Sequence, residues 1–314
     1  MASTGGNART VNTQSGPAET LGHPLVTALI GLAFAVIWSS AFTSAKLALQ
    51  FAPPVLMLAV RFAIAGGLAV AAAVLMGQAW PRTRTAWRSI LILGICQNTL
   101  YLGLMFVAMT TINAGLGAII GSAMPIVMAA IAPVFLAERI GPMKLAGMGL
   151  GFAGVIWVMS AHLGDPVSGG VGQEVGILCA VIGTIALAVG TAVVKRGSFG
   201  TGITMVMGLQ MLVGSITLLP FGLAFESFGS FDVTWEFVAA LAYIIVFPSL
   251  VATWLWFTLL GRTTAANASS FHFFNPVFGV GAAFLVLGEP VGWGDAVGVV
   301  LVAVGILVVN RARA

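Results

Sequence analysis

The sequence predicts an all-α membrane protein: ten transmembrane helices in two inverted five-helix repeats, with both termini cytoplasmic. Three observations carry that expectation. The 314-residue chain is 59% hydrophobic and only 7% charged, against roughly 25% charged in a soluble domain, so it cannot present a polar surface all round. One apolar stretch occurs twice, as GLGAIIGSAMPIVMAAIAPVFLAERIGPMKLAG and as SSFHFFNPVFGVGAAFLVLGEPVGWGDAVG. With one constant offset Pro125 meets Pro276, Ala132 meets Ala283, Glu138 meets Glu289, Gly141 meets Gly292 and Gly147 meets Gly298. Finally, lysine and arginine fall into alternate loops, which gives the chain a direction across the bilayer.

Taken in order, residues 1–24 are polar, small and unpatterned, and read as a disordered cytoplasmic tail; no cleaved signal peptide is expected. Apolar segments long enough for roughly 30 Å of hydrocarbon follow. They run Leu25 to Leu49, Val55 to Met76, Ser89 to Met109, Ala114 to Leu136 and Leu145 to His162, then Val175 to Lys195, Thr204 to Phe225, Phe237 to Leu260, Ala265 to Leu287 and Val297 to Asn310. The first five form one repeat, residues 25–162, and the second five the other, residues 163–310. With the amino terminus inside, the cytoplasmic loops and ends hold Arg9, Arg82, Arg84, Arg88, Arg139, Lys144, Lys195, Arg196, Arg262, Arg311 and Arg313, and the opposite loops hold none. Five crossings per repeat make the second enter the bilayer from the other side. Inverted repeats are a recurrent way to build a carrier, because two similar halves can exchange conformations and open one site to either face.

The residues that organise these helices resemble a known family. Trp38, Phe42 and Lys46 in the first helix, Arg61 in the second, and the Pro-containing fourth helix ending in Glu138, repeated to Glu289, are similar to the EamA-type members of the drug/metabolite transporter superfamily. The resemblance covers essentially Leu25 to Asn310. It implies a ten-helix inverted-repeat carrier in the inner (plasma) membrane, commonly an exporter of amino acids or related metabolites. The second copy departs from the first with Gln210 in place of Arg61 and Thr191 in place of Phe42.

Polar side chains inside apolar helices map the interior, because leaving them in hydrocarbon is costly. Candidate substrate-binding residues are Trp38, Ser39, Thr43, Gln97, Asn98, Tyr101, Gln210, Trp254, His272 and Asn275. Gln97, Asn98 and Tyr101 share a face by three-and-four spacing; they suit hydrogen bonding to a neutral or zwitterionic solute, with bonding between helices as the alternative. His272 and Asn275 precede Pro276, which frees the His272 carbonyl. Their absence at the matching Gly121 and Met124 favours a substrate or proton role, against a structural histidine. Trp38, Trp254 and Trp256 suit a pocket wall or a membrane interface. The charge-bearing or gating candidates are Lys46, Arg61, Glu138, Lys195 and Glu289, with Glu289 expected to pair with Lys46 or Arg61 and Glu138 to approach Lys195.

No Asp or Glu lies within a membrane segment away from its ends, so proton coupling through an acid is unsupported and facilitated export is favoured. No cofactor and no metal is implied: Cys96 and Cys179 sit in apolar runs, and His23, His162 and His272 have no second ligand in the same segment. An enzyme is therefore not expected. The charges are scattered, which excludes a nucleic-acid partner; the partners are a small-molecule substrate and the lipid bilayer. Small residues in the fifth helix (Gly147, Gly151, Gly154) and the tenth (Gly298, Gly305) suggest close packing between the halves, or between protomers of a homodimer. The function expected is secondary transport of an amino acid or similar zwitterionic or amphipathic solute, in the export direction, by alternating access. The alternatives are a multidrug or quaternary-amine exporter and a non-transporting membrane assembly scaffold.

Overall fold

A computed structural model describes residues 24–112, 117, 120–160, 171–278 and 293–312. Glu289, His23, His162 and the tail lie outside the described residues, as do the side chains of Phe42 and Lys46. The expected pairing of Glu289 therefore falls outside them too.

The described chain is helical. The elements are α1 Pro24–Ala48, α2 Pro54–Leu75, α3 Arg84–Ala108, α4 Met124–Leu136, α5 Pro142–Ser160, α6 Val171–Arg196, α7 Ile203–Phe225, α8 Trp235–Arg262, α9 Ala265–Ser269 and α10 Trp293–Arg311. Among the described residues six helices, α1, α2, α3, α6, α7 and α8, are long and apolar enough to cross a membrane, and shorter apolar helices span Ile120–Leu136 and Ala296–Arg311.

Helix ends follow local chemistry. Hydropathy places the start of the third span at Ser89, but α3 begins at Arg84 because the Thr83 side chain accepts a hydrogen bond from Ala86 N at 3.1 Å. Thr234 does the same for α8, accepting from Phe237 N at 3.2 Å. Proline at the start of α2 needs no amide partner, and the next two amides, of Val55 and Leu56, donate to the Glu226 carboxylate from the end of α7 at 3.0 and 2.7 Å. At the other end of the bundle Glu138 repeats the device, accepting from Ala265 N at 2.8 Å and Ala266 N at 3.3 Å at the start of α9. A carboxylate at a helix N-terminus answers both its unpaired amides and its dipole. Glu138 reaches that position because α4 stops at Ala137, which adopts the left-handed conformation (φ 53°).

Packing exchanges partners between the repeats. Helix α2 lies along α7 and α5 along α10, while α3 packs on α6 and α8 on α1. Second meets second, fifth meets fifth, and the third of each meets the first of the other, which is what an internal two-fold arrangement requires. Glycines set the closest approaches. A Cβ on Gly66 would lie 2.9 Å from Gly208 O, and one on Gly147 2.9 Å from Gly305 O. The small-residue stripes of the fifth and tenth helices thus meet within one chain.

Two departures from the α-helix occupy matching places in the repeats. A π-helical segment, Ile95–Gly103, interrupts α3, and another, Ile245–Ala252, interrupts α8 around Pro248. Each widens its helix by one residue per turn and swings the side chains that follow. The Pro-containing segments around α4 and α9 are broken as well. The chain turns at Ala123 before α4, and a 3-10 segment, Ser270–Phe273, follows α9. Ser122 Oγ at the first break donates to the His272 carbonyl at the second, at 3.4 Å.

Candidate functional site

Three helices of the first repeat and one of the second line a small cavity. Its wall is Trp38, Ala41 and Ala45 of α1, Arg61 of α2, Tyr101, Leu102, Met105, Phe106 and Met109 on or beyond α3, and Pro248 of α8. Both π segments contribute, through Tyr101 and Pro248. Arg61 is 3% exposed. Its Nε donates to Ser249 Oγ at 2.8 Å, and its guanidinium carbon sits 5.3 Å from the centroid of the Phe62 ring. Ser249 in turn donates to Ile244 O at 3.0 Å across the widened turn. The partner of Arg61 among the described residues is thus a hydroxyl.

An aromatic box adjoins this cavity. Phe34 stacks on Trp256 at 4.9 Å, and the His272 ring meets Phe34, Trp38 and Trp256 edge-on at 5.3, 6.0 and 5.1 Å. Trp38 also lies nearly parallel to Tyr101, at 6.3 Å and 8°, so it belongs to both box and cavity. His272 Nδ1 faces Asn275 Nδ2 at 3.2 Å. With the amide donating, Nδ1 accepts and the ring proton sits on Nε2, which has no hydrogen-bond partner among the described residues. Asn275 Oδ1 accepts from Ser39 Oγ at 3.2 Å, and Ser39 also donates to Ala35 O at 2.6 Å. Ser39, His272 and Asn275 therefore tie the segment after α9 to α1 behind the box.

A second, more open cavity lies at the C-terminal end of α8, lined by Val194, Lys195, Phe199, Thr201, Ile203, Val206, Phe257, Leu260 and Gly261. Along α8 come Pro248 at the first cavity, Trp256 in the box, and Leu260 at the second. The box stands between the two cavities. Beside the second, Lys195 Nζ donates to Leu260 O at 2.7 Å and Thr263 O at 2.6 Å. Glu138 and Lys195 thus meet at one turn, the lysine on the carbonyls ending α8 and the carboxylate on the amides starting α9.

Several expected site residues lie elsewhere. Asn98 Nδ2 donates to Gln210 O and Gln210 Oε1, both at 2.7 Å, so this amide pair clamps α3 to α7 and does not border the cavity. Gln97 faces α6, with Gly190 beside it, and its Oε1 has no partner among the described residues. Trp254 is 48% exposed on α8 and does not border the cavity, whereas Trp256 is 1% exposed in the box. Thr43 is half-buried on α1 and does not border the cavity. Phe34 and Pro248 were not expected at the site. Phe34 was findable, one helical turn before Trp38 on the same face. Among the described residues no three His, Cys, Asp or Glu side chains are grouped to hold a metal ion.

Profile comparison decides the family: the EamA-like transporter family matches residues 25–160 and 174–311. The chain belongs to that family. It is 31% identical over 285 residues to the uncharacterized transporter YvbV of Bacillus subtilis, covering 90% of this chain and 91% of that one. It is 27% identical over 263 residues to the uncharacterized inner membrane transporter YedA of Escherichia coli K12, with 80% of each chain covered. Protein PecM of Dickeya dadantii is 23% identical over 266 residues, covering 83% of this chain and 85% of that one. A solved crystal structure superposes with a TM-score of 0.77 over 90% of this chain and 96% of that chain, at 19% identity, and so shares the fold. This EamA-family chain is a multi-pass membrane protein whose relatives are transporters.

Proposed function

We propose that the protein is a secondary transporter that exports an amino acid or similar zwitterionic, amphipathic metabolite across the inner membrane by alternating access. In this reading ten spans cross the bilayer, both termini are cytoplasmic, and the cavity beside Arg61 opens away from the cytoplasm. The observation that carries it is the order of features along α8: a cavity with a buried guanidinium, an aromatic barrier, then a second cavity at the far end. Rocking one repeat against the other moves such a barrier from one side of a bound solute to the other. Trp38, Tyr101 and Met105 offer an apolar wall for a side chain, and Arg61 offers charge for a carboxylate.

An exporter of quaternary amines is the second reading. Aromatic faces at Trp38 and Tyr101 favour it, while Arg61 in the same wall repels a cation. Purified protein in liposomes separates the two. Radiolabelled amino acids are expected to cross faster than in protein-free vesicles, and unlabelled amino acids, but not nucleosides or quaternary amines, are expected to compete. Flux of quaternary amines alone would replace the first reading with the second, and no flux of any solute would overturn both.

A further inference from the structure

Resting on that carrier reading, we propose that Arg61 is the anchor that receives the cargo's carboxylate, with Ser249 as the residue that positions it. A guanidinium inside a membrane-spanning helix is costly unless something answers its charge. Among the described residues Arg61 is answered by one hydroxyl and by the face of Phe62, neither of which carries a negative charge. The contact to Ser249 uses Nε, which blocks side-on approach to the guanidinium. The two terminal nitrogens are left as the remaining donors of a residue that lines the cavity, and their end-on fork matches the two oxygens of a carboxylate. The other wall residues, Trp38, Tyr101, Met105 and Phe106, bring rings and a thioether and no competing charge.

Ser249 holds this arrangement through the π segment of α8. The widened turn offers Ile244 O to the Ser249 hydroxyl at 3.0 Å, so the hydroxyl proton points along its own helix and the oxygen lone pairs point at Arg61. An ordinary α turn would direct that proton to a carbonyl one residue nearer and turn the hydroxyl aside. The second repeat has Gln210 where the first has Arg61, and Gln210 is engaged with Asn98. Only one side of the internal two-fold therefore carries the anchor, and a bound zwitterion has one orientation.

The test uses purified full-length protein in detergent, with benzoate and its neutral isostere benzamide as probes and intrinsic tryptophan fluorescence as the signal. Wild type is expected to half-saturate with benzoate at a concentration about tenfold or more below that for benzamide, the size of one charge-assisted interaction. Arg61→Gln is expected to bring the two probes together and Arg61→Lys to restore part of the difference. Ser249→Ala, which leaves the charge in place, is expected to reduce the difference several-fold. If Arg61→Gln does not yield folded protein, the wild-type ratio and Ser249→Ala decide. Equal responses to the two probes in wild type, no response to benzoate, or a ratio unchanged in Arg61→Gln and Ser249→Ala overturns the anchor. Liposome flux judges the carrier reading separately: amino acids that cross as fast with Arg61→Gln as with wild type leave the transporter standing and remove the anchor. Benzoate discrimination without any flux does the reverse.

Discussion

Replacing Asn98 with alanine separates the structural from the substrate role of the buried amides. Asn98 Nδ2 makes two 2.7 Å hydrogen bonds to Gln210, one to its backbone carbonyl and one to its side chain. Hydrogen bonds between membrane helices are worth about 0.6 kcal/mol on average and at most about 2. Loss of both removes about 1 to 3 kcal/mol, with the upper end reached because Gln210 Nε2 already lacks a partner among the described residues and Gln210 Oε1 would join it. Equilibrium unfolding in mixed micelles, titrated with a denaturing detergent, measures this. The double variant with Gln210→Ala is expected to show a coupling of about 1 kcal/mol, because only the side-chain half of the contact is shared. Solute affinity, read by the same fluorescence titration, should stay at the wild-type value. Unchanged stability together with lost affinity would refute the assignment and return Asn98 to the binding site.

Other perturbations follow from the same geometry. Ala137→Gly relieves a left-handed φ of 53° at the end of α4 and is expected to stabilise the protein by about 0.5 to 1 kcal/mol, seen as a raised unfolding midpoint. Glu138→Ala removes the caps on Ala265 and Ala266 and is expected to cost about 1 to 2 kcal/mol on the same scale, whereas Glu138→Gln, which keeps acceptor oxygen but loses charge, should cost less. Gly305→Leu puts a side chain against the backbone of Gly147 and Gly151 and should part α5 from α10, lowering the midpoint well beyond the effect of Gly149→Leu, where nothing lies within 4 Å of the added Cβ. His272→Gln should leave the pH dependence of liposome uptake unchanged, since an imidazole boxed by Phe34, Trp38 and Trp256 has no acid beside it among the described residues to relay a proton.

Much of this architecture is written in the spacing of apolar and charged residues. Long apolar runs bounded by Pro53 and Pro54, Thr83 or Thr234 become helices where hydropathy places them, to within about a turn and a half at the ends. At α3 the first turn is rich in polar residues, which depresses hydropathy while the threonine cap lengthens the helix. The π segments leave no such trace, since a widened turn changes no residue type. They nevertheless decide which side chains reach the cavity, and so Pro248 escaped notice. Trp254 and Trp256 carry a lesson of their own. Two residues apart on a helix they point about 200° from each other, so one of them must face away from the interior, and hydrophobic pattern alone does not say which. Asn98 and Gln210 were legible as buried polar groups but not as each other's partners, because pairing depends on how α3 and α7 lie together and not on either helix.

Accessibility of the first cavity from each side of the membrane tests alternating access most directly. In a background with Cys96 and Cys179 replaced by serine, Ala41→Cys places a thiol on the cavity wall, where a membrane-impermeant maleimide can be added from outside or inside sealed, oriented vesicles. Alternating access predicts labelling from both faces, at rates that a transported amino acid shifts in opposite directions. Labelling from one face only, at a rate indifferent to every solute, would contradict it.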